Sequence, residues 1–196
     1  MHENTKICLN QNRRYHSKCC IDIDLNKLTN KIWVKNQLIL NQKNISTFSL
    51  IFPKLFRWNI IQLNALGTEI MFDDFKSCAS FLTHTDFWRS RIINNDGSVV
   101  MLNKILEITP NIKNFEFSFY NDFSMINAST MKNICKLKNL QNLESFILID
   151  IPEVVNVEDL STFIKNHRNT KIEFHYIYRV SEAYKIQLEA LIDSKN

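Results

Sequence analysis

Three stretches in the C-terminal half share one spacing: apolar, two others, apolar, one other, apolar. They are Ile112-x-x-Phe115-x-Phe117, Leu143-x-x-Phe146-x-Leu148 and, with Asn169 in the first place, Asn169-x-x-Ile172-x-Phe174. Equivalent positions lie 31 and then 26 residues apart. The alternation at the last two positions places both side chains on one face of an extended strand. Weaker copies are placed at Ile60-x-x-Leu63-x-Ala65 and Phe87-x-x-Ser90-x-Ile92, which adds intervals of 27 and 25.

Helical spacing fills the gaps. Residues 73–84 open with Asp73 and Asp74 and put Phe75, Cys78, Ala79 and Leu82 on one face. Residues 98–109, with Ser98 as N-cap, turn Val99, Leu102, Ile105 and Leu106 inward. Residues 127–140 do the same with Met131, Ile134, Cys135 and Leu137. Residues 156–167 begin at Asn156 and bury Val157, Leu160, Phe163 and Ile164. A last helix, 181–193, is capped by Ser181 and buries Tyr184, Leu188, Leu191 and Ile192.

A strand–helix unit of about 27 residues cannot bury its apolar face alone, and stacked copies close a shared core. The expected fold is therefore α/β: a degenerate leucine-rich-repeat-like solenoid of parallel strands with helices on one side. Its intervals are irregular, and the asparagine ladder of regular leucine-rich repeats is missing. Residues 1–55 are expected to form a β-rich N-terminal cap, with strands over Cys20–Leu25, Lys31–Val34 and Ser46–Phe52. Residues 56–196 form the repeat domain, continuous with that cap.

Several function classes find no support. The two glycines, Gly67 and Gly97, stand alone, so neither a dinucleotide fingerprint nor a phosphate loop can be built. His16 with Cys19 and Cys20 is the one local Cys/His cluster, and it lacks the second pair that a zinc site needs. Of the histidines His2, His16, His84, His167 and His175, none lies in a nucleophile-elbow or cysteine-protease signature. His167 falls at a helix end, where a cation suits the negative pole. The acid pairs Asp73/Asp74 and Glu158/Asp159 sit in first helical turns, where capping accounts for them. Phe115, Phe117 and Phe119 have strand period and read as core rather than as a base-stacking platform. No metal and no cofactor is expected.

The five cysteines are an odd set, and no secretory signal or membrane-length apolar run is present. A reduced cytoplasmic or nuclear setting is expected, which makes the sequons at Asn44 and Asn127 chance matches. Charge is uneven: residues 1–60 carry 10 Lys/Arg against 3 Asp/Glu, and the remainder 14 against 17.

The run Asn139-Leu140-Gln141-Asn142-Leu143-Glu144-Ser145-Phe146, followed by Ile151-Pro152-Glu153-Val154 and Val157-Glu158-Asp159-Leu160, resembles nematode F-box-associated leucine-rich-repeat-like proteins. The closing Glu182-Ala183-Tyr184-Lys185-x-x-Leu188 is similar too. The likeness covers about the last third of the chain, and more loosely residues 60–196. It implies a substrate-binding repeat domain, joined through an F-box and a Skp1-like adaptor to a ubiquitin ligase. An F-box itself is not found. Residues 50–58 resemble one stretch of it, but Pro53 falls where that stretch is helical.

The expected function is thus a non-catalytic protein-interaction module. Its working surface is the outward face of the strands: Asn114, Glu116 and Ser118; Ser145 and Ile147; Lys171, Glu173 and His175. The alternative is nucleic-acid binding by the basic first third, through Arg13, Arg14, Lys18, Lys27, Lys31 and Lys35.

Overall fold

The computed structural model describes residues 5–8, 20–23, 29, 32–41, 52–177 and 179–193. Its main sheet is built from β3 (Ile32–Asn41), β4 (Leu55–Leu66), β6 (His84–Trp88), β8 (Asn114–Ser118), β9 (Ser145–Ile151) and β10 (Lys171–Tyr176). The spatial order is β10-β9-β8-β6-β4-β3, and every adjacent pair runs parallel. The order is open, with β3 and β10 at the edges, so the sheet is not a closed barrel. Two small sheets accompany it: β1 (Thr5–Cys8) antiparallel to β2 (Cys20–Ile23), and β5 (Glu69–Met71) parallel to β7 (Arg91–Ile93).

Parallel neighbours need a crossover, and from β4 to β10 helices supply it, with one further helix after β10. They are α1 (Phe72–Ala79), α2 (Leu102–Glu107), α3 (Thr130–Ile134), α4 (Val157–Asn166) and α5 (Glu182–Asp193). From α2 to α5 each packs on the next. The strand positions turned toward them form two rows. One is Leu38, Leu63, Thr85, Phe115, Phe146 and Ile172; the other is Leu40, Ala65, Phe87, Phe117, Leu148 and Phe174. All but the half-buried Ile172 are buried, and they join the helix residues Phe75, Leu102, Ile105, Met131, Leu160, Phe163 and Leu188 in one core.

Aromatic rings run through this layer. Phe87 lies 6.0 Å from Phe75 and 6.2 Å from Phe117, and Phe146 lies 5.7 Å from Phe115 and 4.5 Å from Phe163. Edge-on and offset ring pairs of this kind add to the free energy of area burial.

The strong spacing motif falls in register. Phe115 aligns with Phe146, and Phe146 with Ile172. The copy at Ile60 is also in phase, because Leu63 aligns with Thr85 and Thr85 with Phe115. The copy at Phe87 is not. The true phase is Leu82-x-x-Thr85-x-Phe87, five residues earlier, and Ile92 belongs to β7. A polar Thr85 in a buried position hid that phase. The apolar pair Phe87 and Ile92 offered a false one, because both are buried, each in its own sheet.

A backbone relay ties the units together. Thr83 N–H donates to Ile61 C=O at 2.8 Å, Asn114 N–H to Thr83 C=O at 3.0 Å, Ser145 N–H to Lys113 C=O at 2.9 Å, and Lys171 N–H to Glu144 C=O at 2.9 Å. Asparagines also serve between units. The Asn111 amide donates to Ser80 C=O at 2.6 Å and the Asn139 amide to Leu106 C=O at 2.8 Å. Both reach carbonyls at a helix C-terminal end, where intrahelical partners run out.

The helices match expectation at the C-terminus and shrink before it. Asn156 caps α4 by accepting from Glu158 N–H at 2.7 Å, and Ser181 Oγ accepts from Tyr184 N–H at 3.3 Å at the start of α5. Ile192 lies outside the described side chains. The helix expected over 73–84 ends at Ala79, leaving Leu82 buried in the turn that enters β6. The helix expected over 98–109 starts only at Leu102. Ser98 instead donates to Asp96 Oδ1 at 2.6 Å in a turn where Gly97 holds φ +81°, and Val99 bridges Ile93. The helix expected over 127–140 contracts to Thr130–Ile134. Its entry is organised by Asn127, whose Oδ1 accepts from Ser129 N–H at 2.9 Å and the Thr130 hydroxyl at 3.0 Å. Local Asx bonding competes with helix at Asp96 and at Asn127.

At the N-terminal side, β2 and β3 fall on two of the expected strands, and residues 46–51 lie outside the described set. Residues 52–58 form a short 3-10 turn, Phe52–Lys54, and then the start of β4, so this part of the stretch that resembles an F-box is not α-helical. Among the described residues, no helix is long and apolar enough to cross a membrane.

Candidate functional site

The face of the main sheet opposite the helices carries three rows of side chains, each drawn from successive strands. The first row is Gln62, His84, Asn114, Ser145 and Lys171. The second is Ile39, Asn64, Asp86, Glu116, Ile147 and Glu173. The third is Leu66, Trp88, Ser118 and Ile149. Most of these residues are half-buried, against the near-complete burial of the helix-facing rows.

All eight residues expected at the binding surface lie on this face, on the adjacent strands β8, β9 and β10. Asn114, Glu116, Ser145, Ile147 and Glu173 are half-buried, while Lys171 and His175 are exposed. Ser118 shares the face but is buried, with its hydroxyl 3.5 Å from Asp150 Oδ2. Gln62, Asn64, Leu66, His84, Asp86 and Trp88 belong to the same surface and were not anticipated. The misplaced phase at β6 concealed His84, Asp86 and Trp88, whereas Gln62, Asn64 and Leu66 lie on β4, where the phase was correct. Alternation outward from Thr85 and Phe87 is the signal that finds those on β6, and alternation from Leu63 and Ala65 those on β4.

Acidic groups dominate the middle row. Asp86 and Glu116 are register partners on neighbouring strands. The Asn64 amide reaches Asp86 Oδ2 at 3.4 Å. Glu173 is held by Lys171 at 2.7 Å and lies 3.4 Å from His175 Nε2. That pairing with Lys171 keeps the Glu173 carboxyl below its ordinary range. Glu116 makes no ion pair or hydrogen bond among the described residues. Burial pushes its carboxyl above the ordinary range, and the charges of Asp86 and Glu173 push the same way. Asn64 Oδ1, Asn114 Oδ1 and the Thr85 hydroxyl are buried without a hydrogen-bond partner among the described residues.

Other candidate chemistry is dispersed. Burial pushes the Cys78 thiol up to about 12 and the Cys135 thiol to about 11, the opposite of what a nucleophilic cysteine needs. His167 does close α4, but its ring packs 4.4 Å from Phe163 and burial lowers its pKa, so the neutral imidazole is favoured over the cation expected there. Asp73 stands in the first turn of α1 and is held by Lys76 at 2.6 Å and Asn95 at 3.0 Å rather than capping the helix. Among the described residues, no group of three or more His, Cys, Asp or Glu is arranged to hold a metal. His2, His16 and Cys19 lie outside the described residues, as do Arg13, Arg14, Lys18, Lys27 and Lys31. Lys35 falls in β3 with its side chain outside the described set.

No family model matches the chain, and no curated protein or solved structure matches it significantly.

Proposed function

We propose that this chain is a non-catalytic protein-interaction module whose strand–helix units stack as a degenerate leucine-rich-repeat-like solenoid. The outer sheet face is its recognition surface. The carrying observation is the alignment of five successive parallel strands, which gathers side chains from Gln62 to His175 into ordered rows on one face while the helices pack on the other. A preformed sheet face of this kind loses little backbone entropy on binding. Strands laid down in chain order and the repeated Thr83, Asn114, Ser145 and Lys171 relay support the repeat reading. In this reading the module works in the cytoplasm or nucleus. Its partner is a substrate protein of a ubiquitin ligase, reached through a Skp1-like adaptor as in the F-box-associated proteins it resembles.

The test is affinity purification with the full chain as bait. Glu116→Lys and Glu173→Lys are expected to lose the partner without a change in thermal melting, and Glu107→Lys on the exposed side of α2 to keep it. Full recovery with both outer-face variants, combined with loss in Glu107→Lys, places the surface on the wrong side. Recovery of a Skp1-like adaptor with the bait supports the ligase link.

Nucleic-acid binding by the basic first third is the alternative, favoured by the charge balance of residues 1–60. Asp86, Glu116 and Glu173 repel phosphate, so such binding would not use the outer sheet face. Filter binding at two ionic strengths tests it, since phosphate contacts make affinity fall steeply with salt.

A further inference from the structure

We propose that the open edge of β10 is a self-association seam: two copies of the chain join their sheets by antiparallel pairing of β10 with β10, about a twofold axis at Phe174. The seam goes beyond the outer-face reading and does not depend on it.

The backbone argument comes first. β10 is the last strand of the main sheet, and no described strand pairs with its far side. Lys171 N–H donates to Glu144 C=O at 2.9 Å and Ile177 N–H to Ile151 C=O at 3.4 Å, so the odd-numbered residues direct their backbone groups to β9. Alternation turns the N–H and C=O of Ile172, Phe174 and Tyr176 the other way, toward the open edge. Such a row is a template for a further strand. The register shift between Phe174 and Tyr176 leaves it unbroken, because the extra residue lies on β9, where Asp150 holds φ +63°. The opposite edge of the sheet differs. There β3 holds Asn36 at φ +67° beside a register shift, and irregularities of that kind blunt an edge.

Side chains select the occupant and the register. A twofold axis normal to the sheet sets inner-face residues against inner-face residues. Centred on Glu173, it opposes that carboxylate to its own copy, a destabilising contact. Centred on Ile172, it overlaps only residues 171–173 of the strand. Centred on Phe174, it overlaps residues 172–176 and sets Ile172 against Tyr176 and Glu173 against His175, each twice by symmetry. Ile172 and Tyr176 are the two inner-face residues of β10 left half-buried, so the first pairing covers both. The second places a carboxylate opposite an exposed imidazole, while Lys171 still holds Glu173 at 2.7 Å within its own chain.

The helix layer agrees. Glu189 accepts from the Tyr176 hydroxyl at 2.7 Å, so that side of α5 lies beside the edge strand, with Lys185 one turn earlier on the same side. The twofold runs the two α5 helices antiparallel and brings Lys185 of one toward Glu189 of the other. β10 is thus complementary to itself in backbone, apolar surface and charge. A contact of this symmetry closes at two copies and joins two six-stranded sheets into one.

Sedimentation velocity of the full chain, loaded from micromolar to near-millimolar concentration, tests the seam. The expected result is a mass that rises toward twice that of the chain, with no larger species. Ile172→Pro removes an outward N–H and leaves the ladder to β9 intact, and proline is tolerated at such an edge. It is expected to weaken self-association about tenfold or more. Glu173→Lys sets a cation against His175 of the second copy and is expected to weaken it about as much. Glu173→His combined with His175→Glu exchanges the two partners and is expected to restore the association. Melting temperature shows which variants fold, and if Ile172→Pro does not, the Glu173 and His175 variants decide. A chain that stays monomeric throughout overturns the proposal, whether another protein or nothing covers the edge. Growth beyond two copies overturns it in favour of head-to-tail pairing of β10 with β3. A dimer indifferent to the edge variants, or one that the exchanged pair fails to restore, also overturns it. Glu116 lies two strands from the seam, so partner recovery with Glu116→Lys reads the outer face separately.

Discussion

The two faces of the main sheet are made by the same strands and differ in what each position must satisfy. The inner face is nearly uniform: Leu38, Leu63, Thr85, Phe115 and Phe146 follow one another across the strands, as do Phe87, Phe117, Leu148 and Phe174. Every one is buried, and ring contacts link most of the aromatic members. The outer face changes character from row to row, from polar through acidic to apolar, and it opposes the carboxylates of Asp86 and Glu116, with no ion pair to Glu116 among the described residues. A core selects for volume and apolarity at every position. An open face has no such demand, so a costly feature there points to recognition.

That contrast can be broken at its strongest point. Phe146 touches rings from β8, α4 and β10, so Phe146→Ala leaves a cavity shared by three elements. The expected loss is about 3–5 kcal/mol, read from urea denaturation as a lower midpoint. A loss under about 1 kcal/mol means the inner face is not a packed core.

Thr85 is the polar exception among the inner rows. Its hydroxyl is buried with no hydrogen-bond partner among the described residues. Thr85→Val removes that group at nearly constant shape, and an unsatisfied buried polar group costs about 1–3 kcal/mol. A gain of about that size, seen as a higher denaturation midpoint, is the expected result. A loss shows that the hydroxyl is used.

His167 gives a pH-dependent contrast. Burial lowers its folded pKa below the ordinary 6.5, so the unfolded chain takes up a proton first as pH falls. Its contribution to stability is complete above 6.5 and is lost as pH drops from there toward the lowered folded value. His167→Gln is expected to flatten the difference between melting curves recorded at pH 7 and pH 5. Because the ring is only half-buried, the effect is smaller than that at Thr85.

Glu116 completes the set with the opposite sign. Its folded carboxyl is raised, so stability is highest with the proton bound and declines as pH rises from the ordinary carboxyl value through the raised one. Glu116→Gln is expected to stabilise the free protein slightly at neutral pH, by less than about 1 kcal/mol, as relief of a like-charge cross-strand pair. The same variant should weaken partner binding. Stability and recognition moving in opposite directions at one outer-face residue would sharpen the distinction between the faces; a destabilised Glu116→Gln would erase it.

Local chemistry was readable wherever one residue type answers one backbone need. Asn156 and Ser181 announce their helices because a short polar side chain there meets an open N–H. The inward set Phe115, Phe117, Phe146, Leu148 and Phe174 follows from alternation, which repeats within a strand and needs no knowledge of its neighbours. The eight residues from Asn114 to His175 were legible as a face for the same reason. Trp88 and Asp86 were not, because Thr85 breaks the apolar pattern of their region and the false phase at Phe87 placed the strand five residues late. Helix lengths were overestimated at Ser98 and Asn127, where Asx turns take the hydrogen bonds that a longer helix would have used.

Unaided by coordinates, the order of residues decided which side of each C-terminal strand turns inward and where the last two helices begin, since those properties depend on neighbours two to four positions away. Tertiary structure alone decided which strands lie side by side, that β5 and β7 pair outside the main sheet, and that Asp86 faces Glu116. The aligned positions Leu63, Thr85, Phe115, Phe146 and Ile172 are separated by steps of 22, 30, 31 and 26 residues. Across such unequal loops no fixed period transmits the alignment, and packing of the shared core sets it.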